Sequence, residues 1–415
     1  MMTYLYVGFA HIGKALFNNA TYGLYLLVLV QSLLSTLAIA CTVCYTGKYN
    51  IPWKCRFFIA VFLTFFPIIP MMSMSLAKDT FNTPFFVFFS IAFCELWRTQ
   101  GTILKSVSFD VFFIADALAV SLTKKTGMYI IVLALLLLAC FVVKHWSYKI
   151  ATIVLGGVPY LVVGIIVPTF ILPALHIAPG ESNEILAVPM QQVANVVHNH
   201  KDDLSVAEID EIQQIYHMDI GQLQDAYCWY KADPIKGQEL SSKDEHALIT
   251  TWTKQLVKHP GDMIAGWGGL SVAWFSFNVA SGEEQDLSMM RPINNSKHHY
   301  QNIEQYMPWT DNTKAGNAIG QFYADTLSAT PILNIIWQKA FWATILPFAI
   351  MFLILRSKKN KLNLLMLNLP MFITMLVLFA GPISTHTEAT RYVLPMLYII
   401  PLFLSLTLKH LPEES

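Results

Sequence analysis

Apolar residues run in long blocks through the first 174 positions and again from 332 onward; between them the pattern changes to short amphipathic repeats. A bilayer core about 30 Å thick takes roughly 20 residues of helix to cross. Nine blocks meet or approach that length: 22–43, 57–77, 80–97, 107–123, 127–143, 150–174, 332–355, 362–380 and 391–408. The pattern predicts an all-α polytopic membrane protein of nine transmembrane helices. Six spans fill 22–174, three fill 332–408, and a mostly helical insert occupies 175–331. The fourth block carries Asp110 and Asp116, and carboxylates in a span are costly unless they face protein or a wet cavity. Residues 3–17 (TYLYVGFAHIGKALF) are too short and too polar to cross. They predict an amphipathic helix lying on the outer surface within a segment 1–21.

Inside the insert, Ser205 with Glu208 opens SVAEIDEIQQIY as a capping box, and Ser242 with Glu245 opens SKDEHALITTWTKQLVKH, which His259-Pro260 closes. The next stretch, MIAGWGGLSVAWFSF at 263–277, is uncharged but short for a span, and its glycines weaken it as a helix. It reads as a segment packed on the membrane face of the insert.

Composition agrees with a membrane chain. Of 415 residues 55% are apolar and 13% charged, and the mean hydropathy is +0.48. With 27 basic and 27 acidic residues, no basic face is left for nucleic acid, and no polar tail is built for disorder. The zero hides a segregation. Residues 175–331 carry 20 Asp/Glu against 9 Lys/Arg, a net of −11, so the remainder carries +11.

Basic residues in short loops accumulate on the cytoplasmic side. With nine spans, one set of loops holds twelve of them, from Lys48 through Arg98, Lys144 and Arg356 to Lys409; the other holds five, Lys14, Lys78, Lys124, Lys125 and Arg391. The larger set is expected inside, with the insert extracytoplasmic and 409–415 a cytoplasmic tail. Met1 then lies outside with no cleavable signal, as if an earlier span and outer loop preceded it. Five cysteines lie in or beside apolar blocks and only Cys228 lies in the insert, so the Cys41/Cys44 pair reads as apolar thiols near a helix end.

Signatures for nucleotide phosphates, zinc proteolysis, serine hydrolysis and dinucleotides are all missing from the sequence, and no cofactor is expected. His198-Asn199-His200 with Lys201-Asp202-Asp203, and His298-His299, read as solvated loop residues, so no metal is expected. Lys78-Asp79 occupies an outer turn between two apolar helices. There an ammonium can hold a lipid phosphate and a carboxylate can accept a hydroxyl proton; alternatively Asp79 caps the helix from Thr80 and Lys78 snorkels. Arg391, after His386 and Glu388, poses the same choice between phosphate clamp and interfacial anchor. In the insert, YKADPIK forms a turn rimmed by Asp233 and Lys236. Gln191 and Gln192 either bind sugar hydroxyls or face water.

The outer K-D turn, the paired helices with a cytoplasmic basic loop, ILAVPMQQVANVV, YKADPIK and a closing span that begins RYVLPMLYIIP resemble a family of polytopic membrane proteins from Gram-positive bacteria. That family in turn resembles glycosyltransferases of the C superfamily, which take sugars from polyprenyl-phosphate carriers outside the membrane. Lys78, Asp79 and Arg391 match that family's outer-face charges, and Asp79 in the K-D turn is the candidate catalytic carboxylate. Lys78 and Arg391, with His386, Glu388, Gln191, Gln192, Asp233 and Lys236 from the reading of the residues above, are the candidate substrate contacts. In that superfamily the catalytic carboxylate usually lies in the first outer loop, upstream of the segment that 3–17 matches.

The leading expectation is therefore a transferase or polymerase that moves sugar from a polyprenyl-phosphate-linked donor onto a cell-envelope glycan acceptor, among membrane lipids and without nucleic acid. A carrier or flippase for lipid-linked saccharides, using Asp110 and Asp116, and a non-catalytic envelope scaffold are the alternatives.

Overall fold

The computed structural model describes residues 2–177, 182–236, 240–277, 318, 322, 325, 326, 329–357, 360–382, 384 and 389–411. Among these the elements are helical, apart from one antiparallel bridge between Lys231 and Ser384. Four helices are long and apolar enough to cross a membrane: α2 (Ala20–Lys48), α5 (Lys78–Thr99), α8 (Trp146–Ala174) and α18 (Thr390–His410). The pair α16 (Lys361–Leu367) and α17 (Leu369–Ala380), bent by 67°, makes a fifth if it is one span.

The other apolar blocks are helical but shorter or broken, so four or five candidate spans stand where nine were expected. Block 57–77 splits into α3 (Trp53–Phe65) and α4 (Ile68–Ser73). Phe66 between them is extended at ψ 116, the conformation that a following proline, here Pro67, imposes. Blocks 107–123 and 127–143 become α6 (Val107–Thr123) and α7 (Lys125–Phe141), 17 residues each. Block 332–355 divides into α14 (Pro331–Ile336) and α15 (Phe341–Arg356). In α6, Asp116 is buried and Asp110 half-buried.

Helix α1 (Met2–Phe17) lies against α2, where Gly13 and Gly23 face each other and leave no room for a Cβ on either. Tyr6 Oη donates to Leu76 O at 2.7 Å, and Gln31 Nε2 donates to Ser73 O and Ser75 O at 2.6 and 2.8 Å. These bonds satisfy carbonyls just before α5 and fix the turn from which Lys78 and Asp79 emerge.

Charges gather at the two ends of the bundle. At one end Lys48 and Arg98 each reach Glu95 at 2.6 Å, Trp97 Nε1 donates to Asn363 O at 2.9 Å, and His410 meets the Trp97 ring edge-on at 5.3 Å. At the other end the start of α5, the α6–α7 junction and the start of α18 meet beneath the insert.

The insert has its own core. Helices α9 (Ala187–His200), α10 (Val206–Tyr216), α11 (Ile220–Ala226) and α12 (Ser242–Lys258) bury Met190, Val193, Val197, Ile212, Ile215 and Leu248. The Ser205/Glu208 capping box is formed. The second box uses Ser241 and Asp244, one residue earlier than the expected Ser242 and Glu245. Helix α13 (Pro260–Ser271) leads the chain back to the bundle: Trp267 Nε1 donates to Phe379 O at 2.7 Å, the Phe275 and Phe379 rings lie 4.7 Å apart, and Trp274 is buried in the bundle core.

Candidate anion-binding site

Helix α5 starts at Lys78, after Ala77 in an extended conformation, and places Asp79 in its first turn, where the helix dipole favours a carboxylate. Asp79 has no exposed surface. It survives there because two cations reach it from distant parts of the chain. Lys124 Nζ lies 2.5 Å from Asp79 Oδ1, and Arg391 Nε lies 3.8 Å from Oδ2. Lys124 is the single extended residue between α6 and α7, and Arg391 stands in the first turn of α18.

Tyr392 adds a second restraint. Its ring centroid lies 5.2 Å from Lys124 Nζ and 4.9 Å from Arg391 Cζ, within cation–π range, and its hydroxyl accepts from Arg391 Nη2 at 2.9 Å. Asn82, one turn along α5 from Asp79, donates to Val120 O at 2.9 Å and Thr123 Oγ1 at 2.7 Å, which anchors the end of α6 immediately before Lys124.

Above this knot opens a cavity of about 640 Å³, within the roughly 300–1,000 Å³ usual for small-ligand sites. Lys78, Lys124, Lys125 and Arg391 line it, and the insert adds Glu184, Ile185 and Trp274. Phe86, Ile130, Val377 and Leu378 help make the rest of the wall mostly apolar. Trp274 is buried, and its Nε1 has no acceptor among the described residues.

Glu184 is held from behind. Lys236 Nζ reaches Glu184 Oε1 at 2.9 Å and Asp233 Oδ1 at 2.7 Å, and Lys231 lies 3.5 Å from Asp233. Burial opposes the charge on Lys236, but hydrogen bonds to Asp233 and Glu184 outweigh it and raise the ammonium above its usual pKa. Burial likewise acts against the Asp233 carboxylate, and the hydrogen bond and charge of Lys236 overcome it, so Asp233 sits below its usual value.

The expected residues therefore separate. Lys78 and Arg391 are on the cavity wall, more than three hundred positions apart in sequence. Asp79 is not among the lining residues; it lies beneath them with no exposed surface, engaged by Lys124 and Arg391. Asp233 and Lys236 support Glu184 from outside the cavity.

Gln191 and Gln192 depart from the expected sugar contact, because α9 turns both into the interior of the insert. Gln191 Nε2 donates to Cys228 O and Gln192 Nε2 to Met263 O, each at 2.7 Å, and Gln192 Oε1 accepts from Trp252 Nε1 at 2.7 Å. His386 and Glu388 lie outside the described residues. Lys124, Glu184 and Trp274 were not singled out in the sequence. Lys124 did carry a signal, since Lys124-Lys125 fills a short turn between two apolar blocks on the same side as Lys78.

A family model for DUF6020, a family of unknown function, matches residues 1–414. The chain belongs to the DUF6020 family. Neither a curated protein nor a solved structure matches it.

In this DUF6020 member the cavity sets four cations on its wall against Glu184 on the wall and Asp79 beneath it, while Lys236 behind Glu184 is shared with Asp233. Such a surplus of positive charge in an apolar enclosure attracts an anion. The mostly apolar remainder suits a hydrocarbon or the face of a sugar ring. Glu184, ion-paired with Lys236, is the carboxylate among the lining residues.

Proposed function

We propose that the protein is an integral membrane glycosyltransferase-like protein that takes sugar from a polyprenyl-phosphate-linked donor and transfers or polymerises it onto a cell-envelope glycan. The observation that supports this reading is the convergence of Lys78, Lys124, Lys125 and Arg391 on one largely apolar cavity roofed by the insert. A phosphate attached to a lipid matches both properties of that cavity. In the arrangement we propose, all nine apolar blocks cross the membrane and the insert lies outside, as the distribution of basic loop residues favours.

In this reading Lys78 and Arg391 hold the donor phosphate and stabilise the charge that grows on it. The acceptor hydroxyl oxygen attacks the anomeric carbon, its proton passes to Glu184, and the bond from that carbon to the phosphate oxygen breaks with its electron pair leaving on polyprenyl phosphate. Asp79 keeps Lys124 and Arg391 in place throughout. The proton acceptor is then Glu184 in place of Asp79.

The test is sugar transfer by the full chain in oriented vesicles, with polyprenyl-phosphate hexose in the bilayer and a glycan acceptor supplied on the insert side. Glu184→Gln is expected to lower kcat by about 100-fold or more, the contribution of a positioned general base, while leaving the donor KM nearly unchanged. Equal kcat in Glu184→Gln overturns its role. Movement of the donor across the bilayer with no sugar transferred assigns the protein to carriers.

A further inference from the structure

A second cluster lies in the insert, away from the cavity. His200 ends α9, Asp203 closes the short turn Lys201–Asp203, His259 stands between α12 and α13, and Asp262 lies in the first turn of α13. His200 Nε2 is 3.0 Å from Asp262 Oδ2, and His200 Nδ1 is 3.1 Å from Asp203 Oδ2. The His200 and His259 rings stack with centroids 4.5 Å apart. One ligand atom from each of His200, Asp203 and His259 falls within 4.8 Å of the others.

A neutral imidazole has one N–H. When His200 gives it to Asp262, its Nδ1 lone pair faces the Asp203 carboxylate, two acceptors at 3.1 Å with a cation required between them. A proton can fill that position, but it leaves His259 unexplained. His259 Nε2 is shielded from solvent and has no hydrogen-bond partner among the described residues. A metal ion satisfies His200, Asp203 and His259 together.

The surroundings are those of an oriented metal ligand. Asp262 receives the outer nitrogen of His200, as carboxylates do behind metal-bound histidines, and is itself fixed: Asn199 Nδ2 donates to its Oδ1 at 2.9 Å and Asn195 Nδ2 to its carbonyl at 2.7 Å. Two nitrogens and one oxygen suit zinc or a similar transition ion, whereas calcium and magnesium demand six or more oxygens. Bonds of about 2.0–2.2 Å require the stacked His200 and His259 rings to turn so that their nitrogens converge on one point, and the fourth position is left to water.

We propose that His200, His259 and Asp203 bind one divalent transition-metal ion of the zinc type, with Asp262 as the positioning carboxylate. The ion joins the end of α9 to the α12–α13 corner. Helix α13 carries Trp267, whose indole bonds the bundle at Phe379, so the metal braces the insert where it seats on the membrane body.

The experiment titrates zinc ion into the full chain, purified in detergent and stripped with chelator, and follows it by calorimetry. One ion per chain is expected. His200→Ala and His259→Ala should each weaken binding at least tenfold, and Asp262→Asn should weaken it about 10- to 100-fold. His198→Ala, which removes a ring lying tilted against Tyr227 at 4.9 Å, should leave it unchanged. X-ray absorption of the zinc-loaded unmodified chain should show two imidazoles per ion whatever the folding of the variants. No stoichiometric binding, a shell without imidazole, or binding that survives the His200→Ala, His259→Ala double change overturns the proposal.

Discussion

Asp79 shows how one residue's environment decides its role. Moving a carboxylate out of water costs several kcal/mol unless the geometry of its partners is good, and removing one partner of such a pair costs about 3–5 kcal/mol. Here the partners are Lys124, 17% exposed, and Arg391, 35% exposed, so solvent screens part of the interaction. Asp79→Asn is therefore expected to cost about 3 kcal/mol, the low end of that range, seen as a lower Tm in detergent. Lys78→Ala removes an exposed ammonium with no carboxylate partner among the described residues and should change stability by less than about 0.5 kcal/mol. A Tm unchanged in Asp79→Asn would remove its positioning role. The sequence made Lys78 and Arg391 legible as outer-face charges, because each flanks an apolar block. It left the pairing of Asp79 with Lys124 hidden, because that contact exists only when the α6–α7 hairpin closes on α5.

At the scale of elements, that hairpin depends on a close approach. A Cβ on Gly127 would stand 2.6 Å from Val120 Cγ1 and 3.2 Å from Val120 O, and valine's branched side chain has little freedom to yield inside a helix. Gly127→Ala should wedge α7 away from α6 and displace Lys124 from Asp79. The expected cost is about 1–3 kcal/mol, with a matching loss of anion binding; full stability and full binding in that variant would show that the junction does not set the site. The apolar runs foretold helices but not the number of uninterrupted spans, and Ser205 with Glu208 marked one helix start correctly. The second start was misread by one residue because Ser241-Ser242 and Asp244-Glu245 offer two boxes in adjacent registers, and only packing chooses between them. The continuous apolar block also concealed the break at Phe66-Pro67, where the backbone turns with little loss of hydrophobicity, and the single polar Asn368 gave little warning of the 67° bend between α16 and α17. Gln191 and Gln192 misled for a related reason: a polar side chain on a helix reads as solvated until the neighbouring helices are in place.

Across the whole molecule, charge is sorted by position. The acidic insert lies over the one end of the bundle where Lys78, Lys124, Lys125 and Arg391 gather, while Lys48, Arg98 and His410 mark the opposite end. Through Glu184 and Trp274 the insert also contributes to the cavity wall, so neither part of the chain forms the site alone. In the proposed function this cavity holds the phosphate of a polyprenyl lipid. Native mass spectrometry of the full chain with polyprenyl phosphate tests it most directly. One lipid should bind the unmodified protein, and the Lys78→Ala, Lys125→Ala double variant should bind at least tenfold more weakly at unchanged Tm. Equal binding by that variant, or equal affinity for the uncharged polyprenol, would overturn the proposed function.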